Sequence, residues 1–167
     1  GQLRLASMFE YASVIDSVES TPEEWAISYI LNEVQDLGAD LYRTKDECAN
    51  THIITEQGGY NYIISFPSDR IKDTQLIIED SIDCLKNRIS RGGTMILGLP
   101  REACYEKAWM PFRQFLAENY KEYHTAVVSL KIPTSTSINE GALFIIERSW
   151  PWDDWDEHNR IMLIDAD

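Results

Sequence analysis

The amino-acid sequence predicts an α/β fold whose sheet is mostly parallel, with an antiparallel pair of strands at one edge. Two observations lead to this fold class. Through the first 120 residues, short apolar runs alternate with segments of helical periodicity, as is typical of βαβ crossovers between parallel strands. Farther along, the apolar runs 124–130 and 142–147 follow one another with no helical segment between them, which favours antiparallel pairing.

The clearest local signal is a helix start at Thr21-Pro22-Glu23-Glu24. An N-cap hydroxyl, a proline at the first helical position and a glutamate at the third form a capping box. Apolar residues then recur at helical spacing, and Gly38 can supply a left-handed stop, so we predict a helix over 22–37. The residues that recur at this spacing are Trp25, Ile27, Ile30, Leu31, Val34 and Leu37.

The remaining elements follow from the same periodicities. A second helix is expected to begin at Asp73 or Thr74 and to end at Gly92-Gly93, and a third covers 111–120. Short apolar runs predict strands at 11–15, 39–42, 51–55, 60–66, 94–99, 124–130, 142–147 and 160–165, with a short helix or loop at 45–49. Because 60–66 and 94–99 are apolar almost throughout, we expect them to be adjacent central strands that are buried on both faces.

The charge balance argues against nucleic acid as a direct partner. The chain carries 28 acidic and 15 basic residues, for a net charge of −13. A negative field repels phosphate backbones, whose neutralisation by Lys and Arg dominates nucleic-acid affinity. Lys86, Arg88 and Arg91 do cluster, but they lie at the predicted end of a helix, where cations are favoured in any case. We therefore expect no direct nucleic-acid binding by this domain alone.

The cysteines and histidines show no metal or disulfide pattern. Cys48, Cys84 and Cys104 include no C-x-x-C pair, which predicts reduced, partly buried thiols. The three histidines, His52, His124 and His158, are scattered and are expected to have structural or surface roles, with no metal site. No apolar run is long enough to span a bilayer, and no leader pattern opens the chain. We therefore expect a cytoplasmic location and no membrane partner.

Several segments resemble, in the correct order, adenine-specific DNA methyltransferases, particularly the modification subunits of type I restriction systems. Gly92-Gly93-Thr94-Met95-Ile96-Leu97-Gly98-Leu99-Pro100 resembles their "G-G-x-h-h-h-h-h-P" strand. Similar matches follow at the helix 112–119, the strand pair 137–147 and the closing strand 160–166. The resemblance implies a Rossmann-like, class I methyltransferase-like fold. The resemblance covers residues 58–166. The length of the chain is typical of one domain, so we expect residues 1–167 to form a single methyltransferase-like α/β domain, excised from a larger protein.

The resemblance places Asn61-Tyr62-Ile63-Ile64 on the strand that delivers the catalytic "N-P-P-F/Y" turn. In active members, an Asn or Asp and a carbonyl of this turn hold the adenine amino group, and an aromatic residue stacks on the flipped base. Here the turn reads Ser65-Phe66-Pro67-Ser68. One proline and the amide or carboxylate are missing, and the aromatic residue stands second instead of fourth. The motif is therefore eroded, and we expect no catalytic residue; Ser65 and Ser68 are expected to cap the turn with their hydroxyls.

The cofactor motif is eroded as well. S-adenosylmethionine binding in this family uses a glycine-rich loop after the first strand, where Asp16 marks a vestigial position. The residues after Asp16 are Ser17-Val18-Glu19-Ser20-Thr21-Pro22, which include no glycine. We therefore expect no cofactor and a non-catalytic domain, a pseudoenzyme, with an interaction or regulatory role in a larger DNA-processing or restriction-modification-type protein. The alternatives are an active S-adenosylmethionine-dependent adenine DNA methyltransferase and an α/β domain of unrelated function.

A tryptophan-rich acidic segment follows the last predicted strand pair. Trp150, Trp152 and Trp155 are interleaved with proline and acidic residues at 151–157. Tryptophan is enriched at interface hot spots, so these three residues can form a surface for other domains or protein subunits. They can equally fold back and cover an edge of their own sheet.

Overall fold

A computed structural model describes residues 16–19, 22–36, 40–43, 59–66, 73–133, 138–150 and 162–166. These residues belong to two compact units, one with the elements before residue 57 and one with the elements from residue 59 onward. The predicted strands 11–15 and 51–55 and the segment 45–49 lie outside the described residues. That residues 1–167 form a single domain stays a prediction.

The first unit is a βαβ motif. Strand β1 (Asp16–Glu19) leads into helix α1 (Pro22–Gln35), which is followed by strand β2 (Asp40–Arg43). The two strands are parallel, with Asp16 opposite Asp40. The helix starts at Pro22 as predicted, whereas Thr21 and Gly38 lie outside the described residues. A left-handed residue, Asp36 with φ of 50°, directly follows the helix, which ends two residues before the predicted end at 37.

The segment after Asp16 is not a loop. The sequence predicts a first strand that ends at Asp16 and, after it, a loop over 17–21 in place of the cofactor motif. In the structure, residues 17–19 pair in register with 41–43, so Asp16 begins a strand. Backbone hydrogen bonds to the neighbouring strand hold this segment extended, and such long-range pairing leaves no local signal in the sequence.

The second unit contains a five-stranded sheet. Its strands are β3 (Tyr60–Ser65), β4 (Ile89–Pro100), β5 (Tyr123–Pro133), β6 (Ile138–Arg148) and β7 (Met162–Ala166), in the spatial order β3-β4-β6-β5-β7. Among these strands, β6 alone runs against the others. The mostly parallel sheet and the antiparallel β5/β6 pair are thereby confirmed. Within the described sheet the pair does not form the edge, because β6 lies between β4 and β5, and β7 pairs with the other side of β5.

Strands β3 and β4 are adjacent and parallel, as predicted. In the described part of this sheet, however, β3 is the outer strand, and Asn61 and Tyr62 on it are exposed. The expectation of burial on both faces is therefore wrong for β3. In β4, buried residues alternate with half-buried ones from Gly93 to Leu99. A continuous apolar run does not reveal such a difference between faces, because side-chain type alone does not say how each face is covered.

Two helices pack with this sheet. Helix α2 (Thr74–Asp83) is capped by the carboxylate of Asp73, which accepts hydrogen bonds from the backbone N–H groups of Gln75 at 3.0 Å and Leu76 at 3.3 Å. Helix α3 (Met110–Glu118) has proline in its first turn. The ring of Phe112 on α3 meets that of Phe144 on β6 edge to face at 5.5 Å. The most fully buried large side chains of this unit are Phe112, Ile78, Leu85, Ile89, Met95, Leu97 and Ile146.

The glycine pair 92–93 does not end helix α2. The chain leaves α2 through a single wide turn, Cys84–Arg88, and β4 already starts at Ile89, opposite Tyr60. The register between β3 and β4 then shifts, and Gly92 adopts a positive φ of 74°. Gly92 and Gly93 therefore permit a bulge in β4. From the sequence alone, this use of glycine cannot be told from a helix stop.

Candidate functional site

The carboxyl ends of β3 and β4 meet at one edge of the sheet, where ligands usually bind in open α/β folds. Ser65, the last residue of β3, pairs with Leu97 and is half-buried. Phe66 follows it and is 45% exposed. Pro67 and Ser68 lie outside the described residues. The two described positions of the eroded motif thus present a hydroxyl and an exposed phenyl ring.

The ring of Phe66 packs directly on Gly98 of the neighbouring strand. A Cβ atom on residue 98 would lie 2.6 Å from Cε1 of that ring, far inside van der Waals contact. A side chain at residue 98 would therefore displace the ring of Phe66, and the glycine leaves room for this contact. A glycine within a strand pattern indicates close approach by another group, but the sequence does not tell which group approaches.

Beyond β4 the chain forms two hydrogen-bonded 3₁₀ turns, Arg101–Cys104 and Lys107–Trp109. The guanidinium of Arg113 on α3 donates to the carbonyl oxygens of Ala103 at 2.8 Å and Glu106 at 2.9 Å. The side chain of Arg101 pairs with that of Glu140 on β6. These contacts fix the turns after β4. Sequence reasoning assigned Arg113 only to a helix pattern and missed this role, which needs the tertiary fold.

The chemistry available at Ser65 and Phe66 is limited. Neither side chain carries an amide or a carboxylate that could hold an amino group. In the part of the chain that the structure describes, no group of three His, Cys, Asp or Glu residues is arranged to hold a metal ion. His124 lies in β5, and His52 and His158 are outside the described residues.

The two described cysteines are free thiols, as predicted. Burial raises the pKa of Cys84 from its usual 9.0 to about 12, although the nearby Arg88 lowers it in part. Burial also raises the pKa of Cys104, again against the effect of nearby arginines. Because the thiolate is the nucleophile, neither residue is activated at neutral pH. Cys48 lies outside the described residues.

The remaining site residues predicted from the sequence are Asp16 and the three tryptophans. Asp16 is the first residue of β1, in the first unit. Trp152 and Trp155 lie outside the described residues. Trp150 is described and exposed, and its indole covers Gly92 at the β4 bulge, where Nε1 would be 2.5 Å from a Cβ atom. Trp150, the first residue of the tryptophan-rich segment, therefore packs against strand β4 of its own unit.

The residue before Trp150 is held firmly. The buried Ser149 donates from its backbone N–H to the carbonyl oxygen of Glu122 at 2.8 Å, and from its hydroxyl to that of Lys121 at 2.8 Å. The guanidinium of Arg91 donates to the carbonyl oxygen of Ser149 at 3.3 Å. Hydrogen bonds therefore fix the position of Ser149, directly before the tryptophan-rich segment.

The basic cluster seen in the sequence is engaged in local pairs. Arg88 pairs with Asp83 at 3.1 Å, and Arg91 pairs with Glu122 at 3.1 Å. The ammonium of Lys86 lies 5.2 Å from the ring centre of Phe115. These contacts give each of the three cations a structural partner. None of the described helices has the length and apolar character needed to cross a membrane.

Comparison with known proteins shows the fold. No protein-family model matches the sequence, and no curated protein matches it. Solved structures of class I methyltransferases do match. The chain is similar to a class I S-adenosylmethionine-dependent methyltransferase of Listeria monocytogenes, at 11% identity and a TM-score of 0.69 over 98% of this chain and 53% of that one. A methyltransferase of Streptococcus mutans in complex with SAH matches at 11% identity and 0.63, over 87% and 81%.

The M protein of the type I restriction enzyme EcoKI is a further structural neighbour, at 10% identity and a TM-score of 0.60. The match covers 80% of this chain and 31% of that protein. The chain thus spans about half of the Listeria structure and under a third of the EcoKI subunit. It has a Rossmann-like, class I methyltransferase-like α/β fold. Identities this low establish the fold and leave the activity open.

Proposed function

We propose that this chain is a non-catalytic, methyltransferase-like domain with an interaction or regulatory role in a larger DNA-processing or restriction-modification-type protein. The observation that carries the proposal is the end of β3. The resemblance to adenine methyltransferases assigns Ser65 and Phe66 to the motif that supplies the amide or carboxylate for the target amino group, and neither side chain can replace that group. We further propose, from the cysteine pattern, that the protein is cytoplasmic.

The segment after β1 supports loss of the cofactor. Because β1 extends to Glu19 and α1 starts at Pro22, only residues 20 and 21 connect the strand to the helix. Neither is glycine, and β-paired residues 16–19 are not available to wrap around a ligand. Glu19 also adds a negative charge to the sequence of this segment, which disfavours a ligand that carries a carboxylate. We propose that the domain binds no cofactor.

The interaction role rests on the tryptophan segment and on chain length. Trp150 is anchored on Gly92 and still exposes part of its indole, so the segment that contains Trp152 and Trp155 starts from a fixed base on the surface. One structural neighbour, the EcoKI M protein, is about three times as long as the region that matches this chain. We propose other domains or protein subunits as the partners, reached partly through Trp150, Trp152 and Trp155.

One observation favours the second candidate, an active adenine DNA methyltransferase. Phe66 is exposed at the edge where ligands usually bind in open α/β sheets, and a phenyl ring can stack on a planar base. Stacking alone positions a base without activating its amino group. The non-catalytic role therefore remains the proposal that the chemistry of Ser65 and Phe66 supports better.

A methyl-transfer assay separates the two candidates. Radiolabelled S-adenosylmethionine and adenine-containing duplex DNA are incubated with the chain, with Ser65→Asn and with Phe66→Ala. We expect no transfer above the heat-inactivated control for any of the three, because one restored amide does not restore the cofactor loop. Transfer by the unmodified chain that Phe66→Ala abolishes would establish the active alternative.

A further inference from the structure

Glu122, directly before β5, contacts two other strands of the second unit near their ends. Its carboxylate accepts a hydrogen bond from Nε of Arg148 at 2.9 Å and pairs with the guanidinium of Arg91 at 3.1 Å. Its backbone carbonyl oxygen accepts the N–H of Ser149 at 2.8 Å. One residue thereby joins the start of β5 to the end of β6 and to the start of β4.

Arg148 extends these contacts to the end of helix α2. Its guanidinium donates to the carbonyl oxygen of Ile89 at 2.8 Å. Tyr123, which lies opposite Arg148 in the β5/β6 pair, donates from its hydroxyl to the carbonyl oxygen of Leu85 at 3.0 Å. Leu85 belongs to the wide turn Cys84–Arg88 that follows α2. The last carbonyl groups of a helix have no partner within it, so side chains of β5 and β6 complete this end of α2.

The contacts of Glu122 depend on one another. The Arg148 side chain is only 18% exposed, so its charge is largely removed from water and needs the Glu122 carboxylate beside it. Arg91 also donates to the carbonyl oxygen of the buried Ser149 at 3.3 Å, which links the carboxylate to the same short segment by a second route. Contacts that share partners in this way are weakened together when one member is removed. We call Glu122, Arg91, Arg148 and Ser149 the Glu122 clasp.

We propose that the Glu122 clasp opens as one unit and couples the start of the tryptophan-rich segment to the end of helix α2. Ser149 directly precedes Trp150, and Ile89 is the first residue after the turn that ends α2. Both are hydrogen-bonded to members of the clasp, so both lose a partner when it opens. Segments held together by such contacts open cooperatively at a lower free energy than the whole domain.

The clasp makes Glu122 a positioning residue for the proposed partner surface at Trp150. The indole of Trp150 packs on Gly92, which follows Arg91 in β4. A partner that binds Trp150 in this packed position would favour the closed clasp and thereby the ordered end of α2, because coupling between two sites is reciprocal. This use of the clasp rests on the interaction role proposed above, whereas the coupling itself rests on the contacts of Glu122. Failure of the coupling therefore leaves the interaction role standing, and methyl transfer by the chain would leave the clasp standing.

Amide hydrogen exchange in the full chain, followed residue by residue by NMR, tests the coupling. The N–H groups of Ser149 and Ile89 are both hydrogen-bonded, on the two sides of the clasp. We expect Glu122→Gln to accelerate exchange at both amides by about five- to tenfold and by the same factor, because one opening exposes both. The N–H of Leu76, which is hydrogen-bonded at the other end of α2, is the internal control and should keep its rate.

The matched control variant is Glu140→Gln, which removes the carboxylate of an ion pair near the opposite end of β6 and should leave both amides unchanged. Arg148→Lys keeps the charge without the fork of donors, so it should reproduce the effect of Glu122→Gln. Acceleration at only one of the two amides, or at neither, would overturn the proposal. Equal acceleration at Leu76 would overturn it as well, because the substitution would then loosen the whole unit and not one clasp.

Discussion

The phenyl ring of Phe66 occupies the space that a side chain on Gly98 would fill. The three atoms nearest to a Cβ on residue 98 all belong to this ring. The pair joins the residue directly after β3 to the carboxyl-terminal part of β4, at the sheet edge where ligands usually bind in open α/β folds. Phe66, the aromatic residue that stands second instead of fourth in the motif, thus has a defined packing partner on the sheet.

We predict that Gly98→Ala destabilises the protein by about 1–2 kcal/mol, because the new methyl group pushes the ring of Phe66 away. In a Phe66→Ala background the same substitution should be neutral, or stabilising by about 0.5–1 kcal/mol, since alanine is favoured over glycine in a strand that is not strained. Urea unfolding of the four proteins measures this coupling. An equal cost in both backgrounds would mean that the ring does not rest on Gly98.

Gly92 is the matched contrast. Its φ of 74° is unfavourable for any residue with a Cβ atom, and the indole of Trp150 also occupies the side-chain space. We predict that Gly92→Ala costs about 1–2 kcal/mol and that this cost persists in a Trp150→Ala background, because the backbone strain remains. The measurement is again urea unfolding. If Trp150→Ala removed the cost, the indole and not the positive φ would be the reason for the glycine.

These two glycines also show what the sequence can and cannot predict. The order of strands and helices in the second unit was predictable, because each is encoded by local periodicity and caps such as Asp73. Three features were not predictable: the outer position of β3 in the described sheet, the position of β6 between β4 and β5, and the contacts of Gly92 and Gly98 with Trp150 and Phe66. Each of these depends on contacts between residues far apart in the chain.

The candidate site also combines features that local sequence patterns predict with features that depend on distant contacts. The position of Ser65 and Phe66 at a strand end was predictable from the apolar run and the turn residues after it. The Arg113 hydrogen bonds that fix the turns after β4 and the extension of β1 to Glu19 were missed. Long-range backbone pairing and the identity of the covering surface are not encoded in the local pattern.

We predict that Glu122→Gln destabilises the protein by about 1 kcal/mol. The carboxylate of Glu122 pairs with Arg91 at 3.1 Å and with Arg148 at 2.9 Å, and the Arg148 side chain is only 18% exposed. Partial solvent access limits the cost. The control is Glu140→Gln, which removes the exposed pair with Arg101 and should change stability by less than about 0.5 kcal/mol. Equal urea midpoints for the two variants would contradict a special role of Glu122.

We predict that the chain alone binds duplex DNA no more tightly than about 10 μM at physiological salt. The net charge of −13 opposes the phosphates, and Arg88 and Arg91 are held in local ion pairs. Fluorescence anisotropy with a labelled duplex, repeated at two salt concentrations, measures the affinity. A sub-micromolar affinity that falls steeply with salt would show a cationic surface that this account lacks.

We propose that the domain keeps a methyltransferase-like fold but does not bind S-adenosylmethionine. A thermal-shift titration with S-adenosylmethionine is the most direct test. A bound ligand at 100 times its dissociation constant stabilises the folded state by about 2.7 kcal/mol, which raises the melting temperature by several degrees. SAH and ATP serve as the related and unrelated control ligands. We predict the same melting temperature with and without each of the three compounds. A dose-dependent, saturable rise with S-adenosylmethionine and SAH, absent with ATP, would contradict the account and establish a working cofactor pocket.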